Sequence, residues 1–202
     1  NEALYLLKQL ITKTGGQGTF RCATGPEAPL PGVKDLALRA DRAPNVNGAE
    51  LLGFVRNDAN PLAGLKDGDV LVLADDDLSG LDASAMAKAS AILVIGTVLP
   101  LGLPTPAVVL PIANVAEEEG TFTNLRGRVQ RFLQAKAAPG LARPSWFALA
   151  DLNNAIGVKS EYFLPGAVFA ALAKDVPAFA GLSYETLGLY GASVAGATTG
   201  AA

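Results

Sequence analysis

Apolar residues recur at helical spacing from the start of the chain. Ala3, Leu6, Leu7, Leu10 and Ile11 fall on one side, with Glu2, Lys8, Gln9 and Lys13 largely on the other. The spacing predicts an amphipathic helix. Gly15-Gly16 ends it, because glycine enters the left-handed cap conformation without a Cβ penalty. Thr19 to Cys22 reads as a short strand, and Gly25 to Gly32, with Pro26, Pro29 and Pro31, reads as a loop. Asn45-Val46-Asn47-Gly48 marks a turn before the apolar stretch Ala49 to Phe54. Val70-Leu71-Val72-Leu73 and Ile92-Leu93-Val94-Ile95 are unbroken apolar runs, which predict strands covered on both faces. Asp82 is placed to cap a short helix from Ala83 to Ala89 between them, so the segment fits a parallel strand-helix-strand unit. Val108 to Leu110 is a third strand.

Beyond Gly120 the pattern changes. Phe122 to Leu125 and Val129 to Phe132 flank Arg126-Gly127-Arg128 in extended or looped form. Ala135 to Pro144 reads as a linker. Ser145 then caps a helix in which Trp146, Leu149, Leu152 and Ile156 share a face, and Pro165 starts another with Val168, Phe169, Leu172 and Val176 inward. The last dozen residues, rich in glycine and alanine, read as a loose tail. The fold class expected is α/β: a layered, mostly parallel sheet with flanking helices in residues 1–134, and a helical and irregular extension in 135–202.

Composition narrows the chemistry. Among 202 residues there is no histidine and a single cysteine, Cys22. Histidine metal sites, Ser-His-Asp triads, internal disulfides and clusters held by four thiolates of this chain are therefore excluded. The net charge of -3 shows no nucleic-acid footprint. Charged residues make up 17% of the chain, against roughly 25% in ordinary domains, so part of the surface is expected to be covered by neighbouring chain or subunits. Ala89 to Ala116 carries no charge, but Pro100, Pro104, Pro106 and Pro111 interrupt it. No continuous membrane helix can be drawn through them. The opening lacks a secretory signal and suggests a segment of a longer protein.

Asp75-Asp76-Asp77 admits a hard-cation reading, but the spacing is not that of an EF-hand, and a solvated strand end is the simpler one. Glu117-Glu118-Glu119 offers general acids or bases. Arg126, Arg128 and Arg131 offer anion binding, or internal salt bridges and turn fixing. Gly15 to Gly18 follows a helix instead of a strand and so is no dinucleotide fingerprint. Cys22 lacks an adjacent base and reads as a quiet thiol. Trp146 reads as a core or interface anchor before a ligand platform.

One block is more specific. Val108-Val109-Leu110-Pro111, then Glu117, then Gly120-Thr121-Phe122-Thr123-Asn124-Leu125-Arg126-Gly127-Arg128-Val129-Gln130, resembles the molybdopterin oxidoreductase superfamily. The run Pro177 to Glu185, the opening Glu2 to Leu7 and the segment Arg39 to Glu50 look like the large iron-sulfur subunits of bacterial NADH-quinone oxidoreductase. That resemblance implies a non-catalytic structural domain of the peripheral arm of respiratory complex I, cytoplasmic and peripheral to the inner membrane. It implies no cofactor in this chain, iron-sulfur clusters in an amino-terminal part of the same polypeptide, and the other peripheral-arm subunits as partners. In cofactor-bearing relatives the turn matching Glu117, Gly120, Thr121, Asn124, Gly127 and Arg128 lies near the cofactor cavity, which makes these residues vestigial candidates. Arg128 is expected to pair with Glu117 or Glu119. The alternatives are an enzyme fragment that keeps a pterin-cofactor-binding surface, and a generic nucleotide-binding module.

Overall fold

The computed structural model describes residues 1–33, 37–103 and 107–196. In chain order its elements are α1 (Glu2–Thr14), β1 (Thr19–Phe20), β2 (Ala28–Pro29), β3 (Ala37–Leu38), α2 (Val46–Leu51), β4 (Val55–Arg56) and β5 (Val70–Ala74). There follow α3 (Ala83–Met86), β6 (Ala91–Gly96), β7 (Ala107–Pro111), β8 (Gly120–Thr123) and β9 (Arg128–Phe132). The last are α4 (Ser145–Ala155), α5 (Pro165–Asp175), a 3-10 turn (Pro177–Phe179), α6 (Tyr184–Leu187) and β10 (Ala192–Ser193).

The α/β class expected from the sequence is what the chain adopts, with parallel and antiparallel sheets together. β5, β6 and β7 form a parallel sheet in that order, with Val72 beside Leu93 and Leu93 beside Val108. β1 and β4 add a short parallel pair, and β8, β9 and β10 form an antiparallel sheet with β9 in the centre. The central strand β6 buries Ile92, Val94 and Ile95. β5 departs from expectation: it is an edge, with Leu73 buried but Val70 62% exposed. An apolar run reports affinity for a sheet and does not say how many neighbours the strand will have.

The main core joins the two ends of the chain. Leu6, Leu7 and Leu10 of α1 pack with Leu149 and Ala150 of α4 and with Val168, Phe169 and Leu172 of α5. The three α5 residues are wholly buried, each contributing about 1.5–3 kcal/mol over its exposed state. Pro165 starts α5 where its missing N–H costs nothing, and Gly15 (φ 71) ends α1. A second, smaller cluster of Leu73, Leu78, Met86, Ile92 and Val94 lies under β5, β6 and α3. Among the described residues no helix is long and apolar enough to cross a membrane.

Several local expectations are corrected. Glu2, assigned to the polar side of α1, is 3% exposed and faces inward. Asn45 to Gly48 is not a separate turn, because α2 already begins at Val46. The segment 25–32 contributes β2, paired with β3. α3 stops at Met86, short of Ala89. Ser145 is the first residue of α4 and not its cap, while Ile156 lies past the helix end and is 37% exposed. The glycine-rich end is not loose through its described part: Ala192 and Ser193 pair with β9, and Val194 is buried. The rest of the expected tail, 197–202, lies outside the described residues.

Candidate functional site

Two adjoining clefts lie where open α/β sheets offer sites, beyond the carboxyl ends of parallel strands. The first, about 380 Å³, is walled by Asp75, Asp76 and Asp77 after β5, Thr97 after β6, and Arg21 and Cys22 after β1. Asp75 and Asp77 of its acidic run are exposed, as expected of a solvated strand end, but all three carboxylates are engaged. Arg21 clasps Asp76 with Nε at 2.7 Å and Nη2 at 2.6 Å, and Nη1 donates to the Ser79 carbonyl at 2.6 Å. Asp75 accepts from the Thr97 amide and hydroxyl, and Asp77 from the amide and hydroxyl of Ser79. The Ser79 hydroxyl and amide hold the Asp77 carboxyl below its ordinary range. Among the described residues no group of acidic or thiol side chains is arranged to hold a metal.

The second cleft, about 330 Å³, shares Arg21, Cys22 and Asp75 with the first. Its walls are mostly apolar and aromatic, with Phe20, Phe122, Phe132 and Trp146, and its polar groups include Glu118. Phe122 and Phe132 lie against each other with centroids 4.7 Å apart. Gly120 sits in this wall. A Cβ there would stand 3.0 Å from Phe132 Cζ and 3.1 Å from Glu2 Oε2, a tight fit in which one of those side chains would have to shift. Cys22 is half-buried, and burial pushes its thiol up, in keeping with an unreactive role.

The three neighbouring glutamates go separate ways. Glu117 is buried, accepts from the Asn114 amide and pairs with Lys136 at 2.8 Å, and chiefly that lysine holds its carboxyl low. Glu119 pairs with Arg131, whose guanidinium also lies over the Tyr184 ring. Glu118 reaches Ser145 at the start of α4, accepting from its amide at 2.6 Å and from its hydroxyl at 2.8 Å. Burial drives the Glu118 carboxyl up, against the lowering effect of the Ser145 bonds.

The turn residues singled out in the sequence are close in the fold but differ in use. Asn124 Oδ1 accepts from the amides of Arg126 and Arg128, and Gly127 (φ 71) completes that turn. Thr121 does not bond to its own turn through its side chain. It donates to Glu2 Oε1 and accepts from Asn1 Nδ2. Arg128 pairs with neither Glu117 nor Glu119. It donates instead to the carbonyls of Tyr190 and Gly191 at 3.4 and 3.0 Å. Arg128 and Arg131 therefore share no anion site. Of this turn, Gly120 lines the second cleft.

Sequence reasoning passed over Arg21 and the bond between Glu118 and Ser145. An arginine between Phe20 and Cys22 carries no local signal of a partner 55 positions on. The acidic triplet likewise does not say which member turns toward α4.

Residues 105–155 match the molybdopterin oxidoreductase family. The stretch runs through β7, the β8-β9 hairpin and α4, and so supplies Glu118, Gly120, Phe122, Phe132 and Trp146 to the second cleft. The F420-dependent formate dehydrogenase 2 subunit alpha of Methanococcus maripaludis is 43% identical over 86 residues, 42% of this chain and 13% of that protein. A putative formate dehydrogenase of Bacillus subtilis, YrhE, is 39% identical over 93 residues, 46% of this chain and 10% of that protein. A putative formate dehydrogenase of Staphylococcus aureus strain bovine RF122 / ET3-1 is 38% identical over 80 residues, 40% of this chain and 8% of that protein.

The chain carries a molybdopterin-oxidoreductase-like α/β domain. It is related to formate dehydrogenase family proteins, and spans between 8% and 13% of the length of these three relatives. The broader likeness drawn from the Gly120 to Gln130 block thus holds, and the named relatives are formate dehydrogenases, not NADH-quinone oxidoreductase subunits.

Proposed function

We propose that this chain is part of a molybdopterin-type oxidoreductase polypeptide and forms one wall of its pterin-cofactor cavity. The observation that carries the reading is that the family-matched stretch supplies one side of the aromatic-walled second cleft at the carboxyl end of the sheet. The donor set suits a pterin: flat side chains line the cleft for a flat ring, and the Glu118 carboxylate suits its N–H edge. Phe122, Phe132 and Trp146 would hold the ring, with Glu118 at its polar edge. The cofactor supplies the redox chemistry when bound. This chain's residues bind, orient and exclude water. The test is to purify the full-length polypeptide natively, oxidise an extract and read pterin fluorescence together with molybdenum and tungsten content. Both present supports the cavity, and both absent removes it.

A second reading is favoured by one observation. Thr121, Asn124 and Arg128 spend their polar groups within the chain, on Glu2, on their own turn and on backbone carbonyls. In that reading residues 1–134 and 135–202 form a scaffold in the peripheral arm of an NADH-quinone oxidoreductase. The scaffold is held at the cytoplasmic face by other subunits, beside cluster-bearing domains of the same polypeptide. Isolation of the native assembly with quinone-reducing partners and no extractable pterin would select it.

A further inference from the structure

Glu118 differs from most of the carboxylates around it. Glu117 faces Lys136, Glu119 faces Arg131 and Asp76 faces Arg21, whereas among the described residues Glu118 and Asp75 have no salt-bridge partner, and of these two Asp75 is exposed and bonded to Thr97 while Glu118 is half-buried. Its donors are the amide and hydroxyl of Ser145. Two oxygens offer about four acceptor positions, and Ser145 has two hydrogens to give, so acceptor capacity remains. The carboxyl is half-buried and lines a cleft whose other walls include Phe20, Phe122, Phe132 and Trp146. A desolvated carboxylate without a paired countercharge is costly unless further donors complete it. The Ser145 bonds fix its position, so it is preorganised and not free to swing out to solvent.

From this placement we infer that Glu118 reads the donor edge of a pterin ring in the second cleft, an inference that rests on the cofactor-cavity reading above. A pterin presents a ring N–H and an exocyclic amino group side by side, two donors in one plane. An acceptor-only carboxylate meets both, while a carboxamide or a water-filled wall cannot. Apolar contact with the aromatic walls supplies affinity, and Glu118 supplies the choice among flat rings of similar size. The chemistry discriminates sharply, because a ring with a carbonyl oxygen in place of the amino group sets two acceptors against each other.

The experiment uses the full-length polypeptide in cofactor-free form and follows binding by fluorescence at pH 7, where both probes keep their ring N–H. The probes are pterin itself and lumazine, its analogue with oxygen in place of the 2-amino group. The expected result is a preference for pterin of about tenfold or more, the cost of leaving one buried polar group unpaired. Glu118→Gln abolishes or reverses it, since a carboxamide offers one donor and one acceptor and matches lumazine. Glu185→Gln, at an exposed carboxyl outside the cleft, leaves it unchanged. Equal affinities in the unmodified polypeptide overturn the inference without any variant having to fold, and so does a preference that survives Glu118→Gln. Pterin bound without discrimination removes the role of Glu118 and leaves the cavity standing. Failure to bind either ring also removes it, and pterin in the native extract then decides the cavity separately.

Discussion

The Glu2 carboxylate accepts two hydrogen bonds from Thr121, one from its amide at 2.9 Å and one from its hydroxyl at 3.0 Å, across 119 positions of sequence. Tyr184 adds a third donor at 2.9 Å, and burial together with proximity to that carboxylate raises the Tyr184 phenol. One buried side chain thus ties α1, β8 and α6 together. A buried carboxylate bonded in this way specifies register, because any slip of β8 takes away both Thr121 donors. The knot also backs Gly120, the residue before Thr121, and so supports the wall of the second cleft.

Thr121→Val keeps the shape and removes the hydroxyl. Glu2 loses one donor in a buried setting and Asn1 loses an acceptor. The expected cost is about 1–3 kcal/mol, measured as a shift of the denaturant midpoint at constant slope. Thr186→Val on the surface removes only a local cap, and a loss there as large as at Thr121 would contradict the assignment of the knot.

Gly120→Val is expected to lower the melting temperature more than Glu118→Ala. The new side chain meets Phe132 and the pinned Glu2 carboxylate, and an overpacked core site costs typically about 1–3 kcal/mol. Glu118→Ala removes a half-buried carboxyl and its bonds to Ser145, with no clash. Equal melting shifts in scanning calorimetry would defeat the prediction.

The elements legible in the sequence were those whose signal is local. α1 and α5 follow from spacing and terminal residues, β5 and β6 from apolar runs, and the β8-β9 turn from Asn124 and Gly127. What sequence could not show depends on distant partners. Glu2 looks like a surface residue of its helix until Thr121 and Tyr184 are beside it. β10 is a few small residues whose strand state comes from the unpaired edge of β9. The glycine just before it is needed there, since a Cβ at Gly191 would collide with the Val129 carbonyl. For the site, the block around Gly120 named one wall. Its opposite side, Phe20 and Arg21, is brought in by the parallel pairing of β1 with β4, which two-residue strands do not announce.

Arg21→Ala is expected to loosen the loop between the clefts. Asp75 (φ 51) and Leu78 (φ 64) both hold left-handed backbone, an unfavourable state for leucine. Arg21 constrains the loop through Asp76 and the Ser79 carbonyl. Without it, the amides of Leu78 and Ser79 should exchange with solvent at least about tenfold faster, the effect of losing roughly one charge-assisted hydrogen bond. Arg21→Lys should rescue little, because an ammonium cannot span both carboxylate oxygens and the carbonyl. Unchanged exchange in Arg21→Ala would show that the loop is held by its own aspartates alone.

The raised Glu118 carboxyl has a consequence whose sign is fixed by linkage. Burial favours its neutral form in the folded chain, so the folded value lies above the unfolded one. Its contribution to stability is complete below the unfolded value, about 4.3, and is lost as pH rises through the folded value. Glu118→Gln keeps a neutral group of the same size beside Ser145 and removes that loss. The stability of the variant relative to the unmodified protein should therefore improve as pH rises above about 4.3 and level off once the carboxyl is ionised in the folded chain, read by urea denaturation at each pH. The slope separates this carboxyl from Glu117, which Lys136 holds low and whose contribution is lost in the opposite direction, as pH falls. A difference that stays flat, or that turns against the variant as pH rises, would mean that Ser145 and the start of α4 stabilise the charged carboxylate more than burial penalises it.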